Sequence, residues 1–144
     1  MANRNEQKLL ASLLIFFLIG GLGFPCTSII VTKGASADGS VIITYSCDGE
    51  FLPGLRLYPA ADHKPGEMVE IMGFRGKRGQ IREVAHTYKV LDLMNEFQVA
   101  IGETTFDGRE ELVNPDGLLN YPQLMLLALQ RAKTAREAIR VMAD

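Results

Sequence analysis

Two short runs of mainly β-branched residues near the start of the chain constrain its fold most. They occupy residues 29–32 and 41–45, and a turn-rich segment, residues 34–40, separates them. Asp38-Gly39 within that segment is a hairpin signal, although seven residues make a looser turn than the two-residue kind. The pattern predicts an antiparallel β-hairpin.

The first 25 residues have the parts of a secretory signal. Arg4 and Lys8 supply a basic start, residues 9–22 are an apolar stretch, and glycines followed by Pro25 then break the helix. We therefore expect a leader over residues 1–25 and a protein exported to a periplasm, an extracellular space or a secretory lumen. An uncleaved membrane anchor is the alternative, because the uncharged run continues to Thr32 and is long enough to span a bilayer.

Cys26 directly follows this leader. If cleavage exposes it, one residue carries a thiol and a free amine with a pKa of about 7.7–8.0, so that nucleophile and base need no histidine. Asp48 follows the second β-branched run, and in a hairpin that end returns toward Cys26, where the carboxylate could hold the ammonium or orient the thiol. The alternatives are a buried strand cysteine, a turn aspartate, a lipid-modified Cys26, or a Cys26–Cys47 disulfide that would silence the nucleophile.

The charge balance and the metal-binding residue types exclude several classes of function. The chain has 15 basic and 17 acidic residues, a net charge of −2, which argues against nucleic acid as the main partner. Two cysteines are too few for a disulfide scaffold, and His63 and His86 lie too far apart in sequence for a metal-ligand motif. We expect no metal and no other cofactor.

The middle of the chain has the pattern of a loop with strands. Residues 49–66 are rich in proline and glycine and predict a loop containing a strand at 55–58, and residues 68–72 predict another strand. Residues 86–91 and 97–102 predict a hairpin that turns at residues 94–96.

Four basic residues cluster among glycines in this part of the chain. They predict a solvated turn, with an anion or substrate-carboxylate contact as the alternative. The four are Arg75, Lys77, Arg78 and Arg82.

Helical patterns begin only near the end of the chain. Pro122 is suited to the first helical position, and apolar residues follow it at helical spacing. Thr134 and Glu137 form a capping-box pattern that opens a second helix through Met142. Strands followed by helices, without βαβ alternation, predict an α+β fold with a largely antiparallel sheet. The last helical pattern reaches Asp144 without a cap, so we expect the N-terminal part of a longer protein.

Three separated segments carry a resemblance to a known family. Residues 26–40, CTSIIVTKGASADGS, resemble the start of the mature C69-family dipeptidases, which are N-terminal nucleophile hydrolases related to the secernins. Residues 94–105, MNEFQVAIGETT, and residues 133–139, KTAREAI, resemble the same family in the same order. The resemblance covers essentially all of residues 26–144.

The resemblance implies a four-layer αββα sandwich, incomplete here, and hydrolysis of dipeptides or short peptides. Cys26 would be the nucleophile, and Asp48 would contact its amine. The segment carrying Glu103, Thr104 and Thr105 falls where relatives place an oxyanion or substrate contact. Related bile-salt hydrolases and penicillin V acylases have an arginine three residues before the aspartate, a place held here by Tyr45.

Two other functions stay open from the sequence. One is an acylase acting on non-peptide amides, such as penicillin V or conjugated bile acids. The other is a non-catalytic, exported or membrane-anchored binding module. We expect a short-peptide substrate, no nucleic acid and contact with a membrane only through an uncleaved leader, and a homo-oligomer is left open.

Overall fold

The computed structural model describes residues 27–46, 54–73, 76–104 and 108–143. These ranges contain nine strands, all paired antiparallel, a 3-10 turn and two helices, which confirms an α+β chain with antiparallel strands. No helix within these ranges has the length and apolar character needed to cross a bilayer. In chain order the elements are β1 (Thr27–Val31), β2 (Ile42–Ser46), β3 (Leu57–Tyr58), β4 (Ala61–Asp62), β5 (Met68–Gly73), β6 (Gly76–Arg82), β7 (His86–Thr87), β8 (Val90–Leu91), β9 (Met94–Asn95), the 3-10 turn (Glu110–Leu112), α1 (Tyr121–Arg131) and α2 (Ala135–Ala143).

The predicted N-terminal hairpin is confirmed as β1–β2. Its register runs from Thr27 opposite Ser46 to Val31 opposite Ile42. In the connecting turn, the Asp38 carboxylate accepts a hydrogen bond from the Ser40 amide at 3.0 Å, and hydrogen bonds from Ser40 lower the pKa of Asp38. Gly39 has a φ of +77°, a backbone conformation that glycine adopts without a steric penalty.

The basic segment differs from its prediction as a solvated turn. Residues 76–82 form strand β6, which pairs with β5 and closes at Gly76, where φ is +107°. Lys77 pairs with Glu70 across the hairpin, and Arg78 donates to the main-chain oxygen of Pro115 at 3.0 Å. The partner strand satisfies the backbone, so pairing overrides the weak strand propensity of glycine and lysine.

The second predicted hairpin turns two residues earlier than expected. β8 and β9 pair around a turn at Asp92, whose φ is +52°, rather than around residues 94–96. Residues 97–102 form no strand, and only an isolated bridge joins Met94 to Ala100. The reason is that the Asn95 side chain turns into the core, where its oxygen accepts hydrogen bonds from the main-chain amides of Phe97 and Val99.

Both helices begin close to their predicted positions. Asn120 caps α1: its side-chain oxygen accepts from the Gln123 main-chain amide at 3.1 Å, and its own main-chain amide donates to the Gln123 side-chain oxygen at 3.2 Å. This capping box was not predicted from the sequence. Pro122 is therefore the second helical residue rather than the first. At α2 the Thr134 hydroxyl accepts from the Glu137 amide at 3.2 Å, but the Glu137 carboxylate accepts from the Lys133 amide.

The core lies between the β8–β9 region and the two helices. It consists of small and medium apolar side chains, which allow the helices to approach closely. Its buried members are Val90, Val99, Ala128, Leu129, Ala132 and Ala138. Ile101 still packs against this core, whereas the next two residues, Gly102 and Glu103, lie against β1–β2.

Candidate functional site

Three of the predicted site residues lie outside the described part of the chain. These are Cys26, Asp48 and Thr105. The described structure reaches the residue after Cys26, because Thr27 opens β1 opposite Ser46, whose hydroxyl donates to the Thr27 main-chain oxygen at 3.3 Å. Glu103 and Thr104 are both described, Glu103 half-buried and Thr104 exposed.

The structure places Glu103 directly against the β1–β2 hairpin. The Ser28 hydroxyl donates to the main-chain oxygen of Glu103 at 2.8 Å, and the Tyr45 hydroxyl donates to the Glu103 carboxylate. Ser28 and Tyr45 are directly opposite each other in the register and therefore share one face of the hairpin. Two elements 75 residues apart in sequence thus meet at this face.

Gly102 permits this close approach. A Cβ atom added there would lie 3.0 Å from Ile43 Cδ1 and 3.8 Å from Tyr45 Cβ. Because Ile43 projects from the same face as Tyr45, any larger residue at 102 would push against the hairpin. The small residue therefore helps to keep Glu103 within reach of Tyr45.

Glu103 forms no ion pair with any of the described residues. The ion pairs found there join other carboxylates to Lys77, Arg109, Arg131 or a histidine, and none includes Glu103. The Glu103 carboxylate is instead held by a phenol. Burial of a charge without a counter-charge is unfavourable. A half-buried carboxylate that is bonded by a phenol and lies in no ion pair is therefore suited to a cationic ligand.

Sequence reasoning missed Ser28 and assigned no partner to Tyr45. Ser28 lies two residues after Cys26 in the sequence. Tyr45 stands where the resemblance leads one to expect an arginine. The Tyr45 hydroxyl donates to the Glu103 carboxylate, so the tyrosine makes a specific contact at this position.

The two histidines lie on paired segments of the chain, but each contacts a different set of side chains. Asp62 of β4 pairs with His86 of β7, and their side chains approach to 2.6 Å. His63 Nδ1 lies 3.0 Å from a carboxylate oxygen of Glu67, and His63 Nε2 lies 3.0 Å from the hydroxyl of Thr87. The hydrogen bond with His63 is the main cause of the lowered pKa of Glu67.

These histidine contacts are local pairs. Each histidine has its own carboxylate, and the described ranges hold no group of three or more side chains suited to a metal ion. The hydrogen bonds join β4, β7 and the turn before β5, so they hold short strands together. We therefore place the candidate site at β1–β2 and Glu103.

Comparison with known proteins defines the class of this chain. The family model described as Peptidase family C69 matches residues 56–144, more than half of the chain, including Glu103, Thr104, Thr105 and both helices. No significant match was found among curated proteins or among solved structures. The match is to peptidases, and it places this α+β chain in that class of hydrolase.

The chain belongs to peptidase family C69. The matched range begins after Cys26 and Asp48. The roles of these two residues are therefore a proposal, which rests on the resemblance and on their places in the sequence, one residue before β1 and two residues after β2.

Proposed function

We propose that the processed chain is a cysteine-nucleophile amide hydrolase that acts on dipeptides or other short peptides. Residues 1–25 are the leader, and residues 26–144 are the N-terminal part of an N-terminal nucleophile hydrolase domain. The observation that carries the proposal is the contact of Glu103 with the hairpin whose first strand begins immediately after Cys26. Membership of a peptidase family supports the reaction type.

The hairpin also supports the layered sandwich. Its face opposite Glu103 carries Ile29 and Ile42, which are 57% and 47% exposed. Because side chains alternate between faces, β1–β2 has apolar residues on both. A sheet with two apolar faces is expected to be covered on both, as the αββα arrangement requires.

The mechanism follows from a thiol and an amine on one residue. The Cys26 thiol attacks the scissile carbonyl carbon while its own amine accepts the proton. Donors near Thr104 and Thr105 stabilise the oxyanion of the tetrahedral intermediate. The amine then protonates the leaving nitrogen, the C–N bond breaks, and water hydrolyses the thioester to release the acid and restore the thiol.

The positions of these residues in the sequence support the proposal. Cys26 directly precedes β1, and Ser28, two residues after Cys26, donates to the main-chain oxygen of Glu103. We assign to Asp48, two residues after the end of β2, the role of holding the Cys26 ammonium. Export of the chain would remove the leader and free the amine.

The first test is the N-terminal residue and intact mass of the protein purified from its native secretory route. We expect an unmodified Cys26 as the first residue and hydrolysis of unblocked dipeptides. Cys26→Ala should abolish this hydrolysis, and Cys47→Ala is the matched control that should retain it. Retention of the leader in Cys26→Ala would show that processing is autocatalytic.

Other outcomes would contradict the proposal. A chain that keeps residues 1–25, or that is lipidated at Cys26, has no free amine to act as base. A processed wild type that cleaves penicillin V or conjugated bile acids but no peptide would make the chain an acylase instead. Equal activity of Cys26→Ala and the wild type would remove the nucleophile from the mechanism.

A further inference from the structure

We propose that Glu103 binds the free α-ammonium group of the substrate, with Tyr45 as its positioning residue. The site would therefore select dipeptides and short peptides with an unblocked N-terminus. This inference rests on the proposed function and names the part of the substrate that Glu103 recognises.

Glu103 is held in place at two points. The Ser28 hydroxyl bonds its main-chain oxygen at 2.8 Å, and the Tyr45 hydroxyl bonds Oε1 of its carboxylate. A carboxylate accepts about four hydrogen bonds, and the described residues supply the one from Tyr45. The group is therefore oriented and retains acceptor capacity for a ligand.

The charge of Glu103 also fits an ammonium ligand. Several carboxylates of the described chain have a cationic side chain of their own, such as Glu70 with Lys77 and Glu83 with Arg131. Glu103, although half-buried, has none among the described residues. Its charge is complementary to an ammonium, and charge-assisted hydrogen bonds are the strongest class available to such a pair.

The proposed nucleophile is close along the chain to the residue that anchors Glu103. Ser28 is two residues after Cys26 in the sequence, so their α-carbons are at most about 7 Å apart. In an unblocked dipeptide the α-ammonium nitrogen is only two bonds from the scissile carbonyl carbon. A residue that receives this ammonium must therefore lie close to the nucleophile, as the anchoring of Glu103 to Ser28 allows.

The α-amine of Cys26 is the competing ammonium. If Glu103 held the Cys26 amine instead, loss of Glu103 would lower the activity on every substrate equally, because that amine is the base of the reaction. If Glu103 holds the substrate ammonium, its loss matters only for substrates that carry one. Acetylation of the substrate amine separates these cases.

The experiment compares alanyl-alanine with N-acetyl-alanyl-alanine as substrates of the processed full chain, with released alanine quantified by chromatography. The wild type should strongly prefer the unblocked dipeptide. Glu103→Gln keeps the shape of the side chain and should lower kcat/KM for that dipeptide by about 10- to 100-fold, as expected for loss of a hydrogen bond to a charged group. Its kcat/KM for the acetylated dipeptide should change by less than about twofold, within the range of a neutral substitution.

Three variants accompany Glu103→Gln. Tyr45→Phe should give a smaller loss that is again confined to the unblocked dipeptide. Glu103→Asp keeps the charge and should recover part of the preference. Glu110→Gln removes a carboxylate from the exposed 3-10 turn and should change neither value.

The outcomes distinguish this inference from the proposed function. An equal loss on both substrates in Glu103→Gln, with a shifted pH profile, would assign Glu103 to the Cys26 amine and overturn the inference alone. No change on either substrate would also overturn it. A wild type with a free Cys26 terminus that hydrolyses neither substrate nor any other short peptide would refute the proposed function and this inference with it.

Discussion

Replacement of Asn95 by alanine should lower the free energy of unfolding by about 4 kcal/mol, at roughly 1 kcal/mol for each of its hydrogen bonds. The side-chain nitrogen donates to the main-chain oxygens of Leu129 and Ala132 at 2.9 and 2.6 Å. Its oxygen accepts from the amides of Phe97 and Val99, both at 3.0 Å. Asn95 is only 4% exposed, so water cannot freely replace these bonds.

The large effect follows from what alanine would leave behind. Alanine would leave four main-chain groups without their side-chain partner. These are the carbonyl oxygens of Leu129 and Ala132 at the end of α1 and the amides of Phe97 and Val99. Leaving buried polar groups unsatisfied is costly. Asn95→Asp keeps an oxygen toward the amides but turns a second oxygen toward the two carbonyls. It should therefore also destabilise the chain.

Urea unfolding followed by far-UV circular dichroism measures this difference. Asn114→Ala is the matched control, because the Asn114 side chain accepts a bond from the Asp116 amide in an exposed loop. The control should lose less than about 1 kcal/mol. If Asn95→Ala loses no more than Asn114→Ala, the reasoning from buried hydrogen bonds is wrong.

Three further changes test other contacts of the fold. Glu83→Gln should lower the free energy of unfolding in urea by about 3 kcal/mol, since it leaves the charge of Arg131 unpaired where the side chains are 6% and 14% exposed; an unchanged midpoint would contradict this. The bond with His63 lowers the pKa of Glu67 from 4.5, so its stabilisation is present above pH 4.5 and is lost as pH falls through the lower folded value. The Tm difference between wild type and Glu67→Gln should therefore shrink below pH 4.5, and a difference independent of pH would argue against this pair. Thr134→Ala removes the N-cap of α2 and should cost about 1 kcal/mol in the same urea assay, whereas no loss would show that the cap is replaced.

Local patterns were sufficient for several elements of this chain. Two β-branched runs on either side of Asp38-Gly39 predicted β1–β2, and the Thr134 cap predicted the start of α2. These signals lie within a few residues of the structure they specify. Hairpin turns and helix caps are local hydrogen-bonding arrangements, so the sequence is enough to find them.

The errors occurred where a distant partner decided the structure. Residues 76–82 carry glycines and cations, and they form a strand because β5 pairs with them. The turn near Asp92 lies earlier than predicted because the Asn95 side chain is buried in the core, where it donates to two main-chain carbonyl oxygens at the end of α1. Neither partner can be read from the local pattern.

The sequence by itself determined the α+β class, the membership of peptidase family C69 and the segment in which Glu103 lies. Only the tertiary structure decided that Glu103 contacts Ser28 and Tyr45 and forms no ion pair with any of the described residues. Periodicity records which face of a strand or helix a side chain occupies. It does not record which remote segment covers that face, because that depends on how the separate elements pack together.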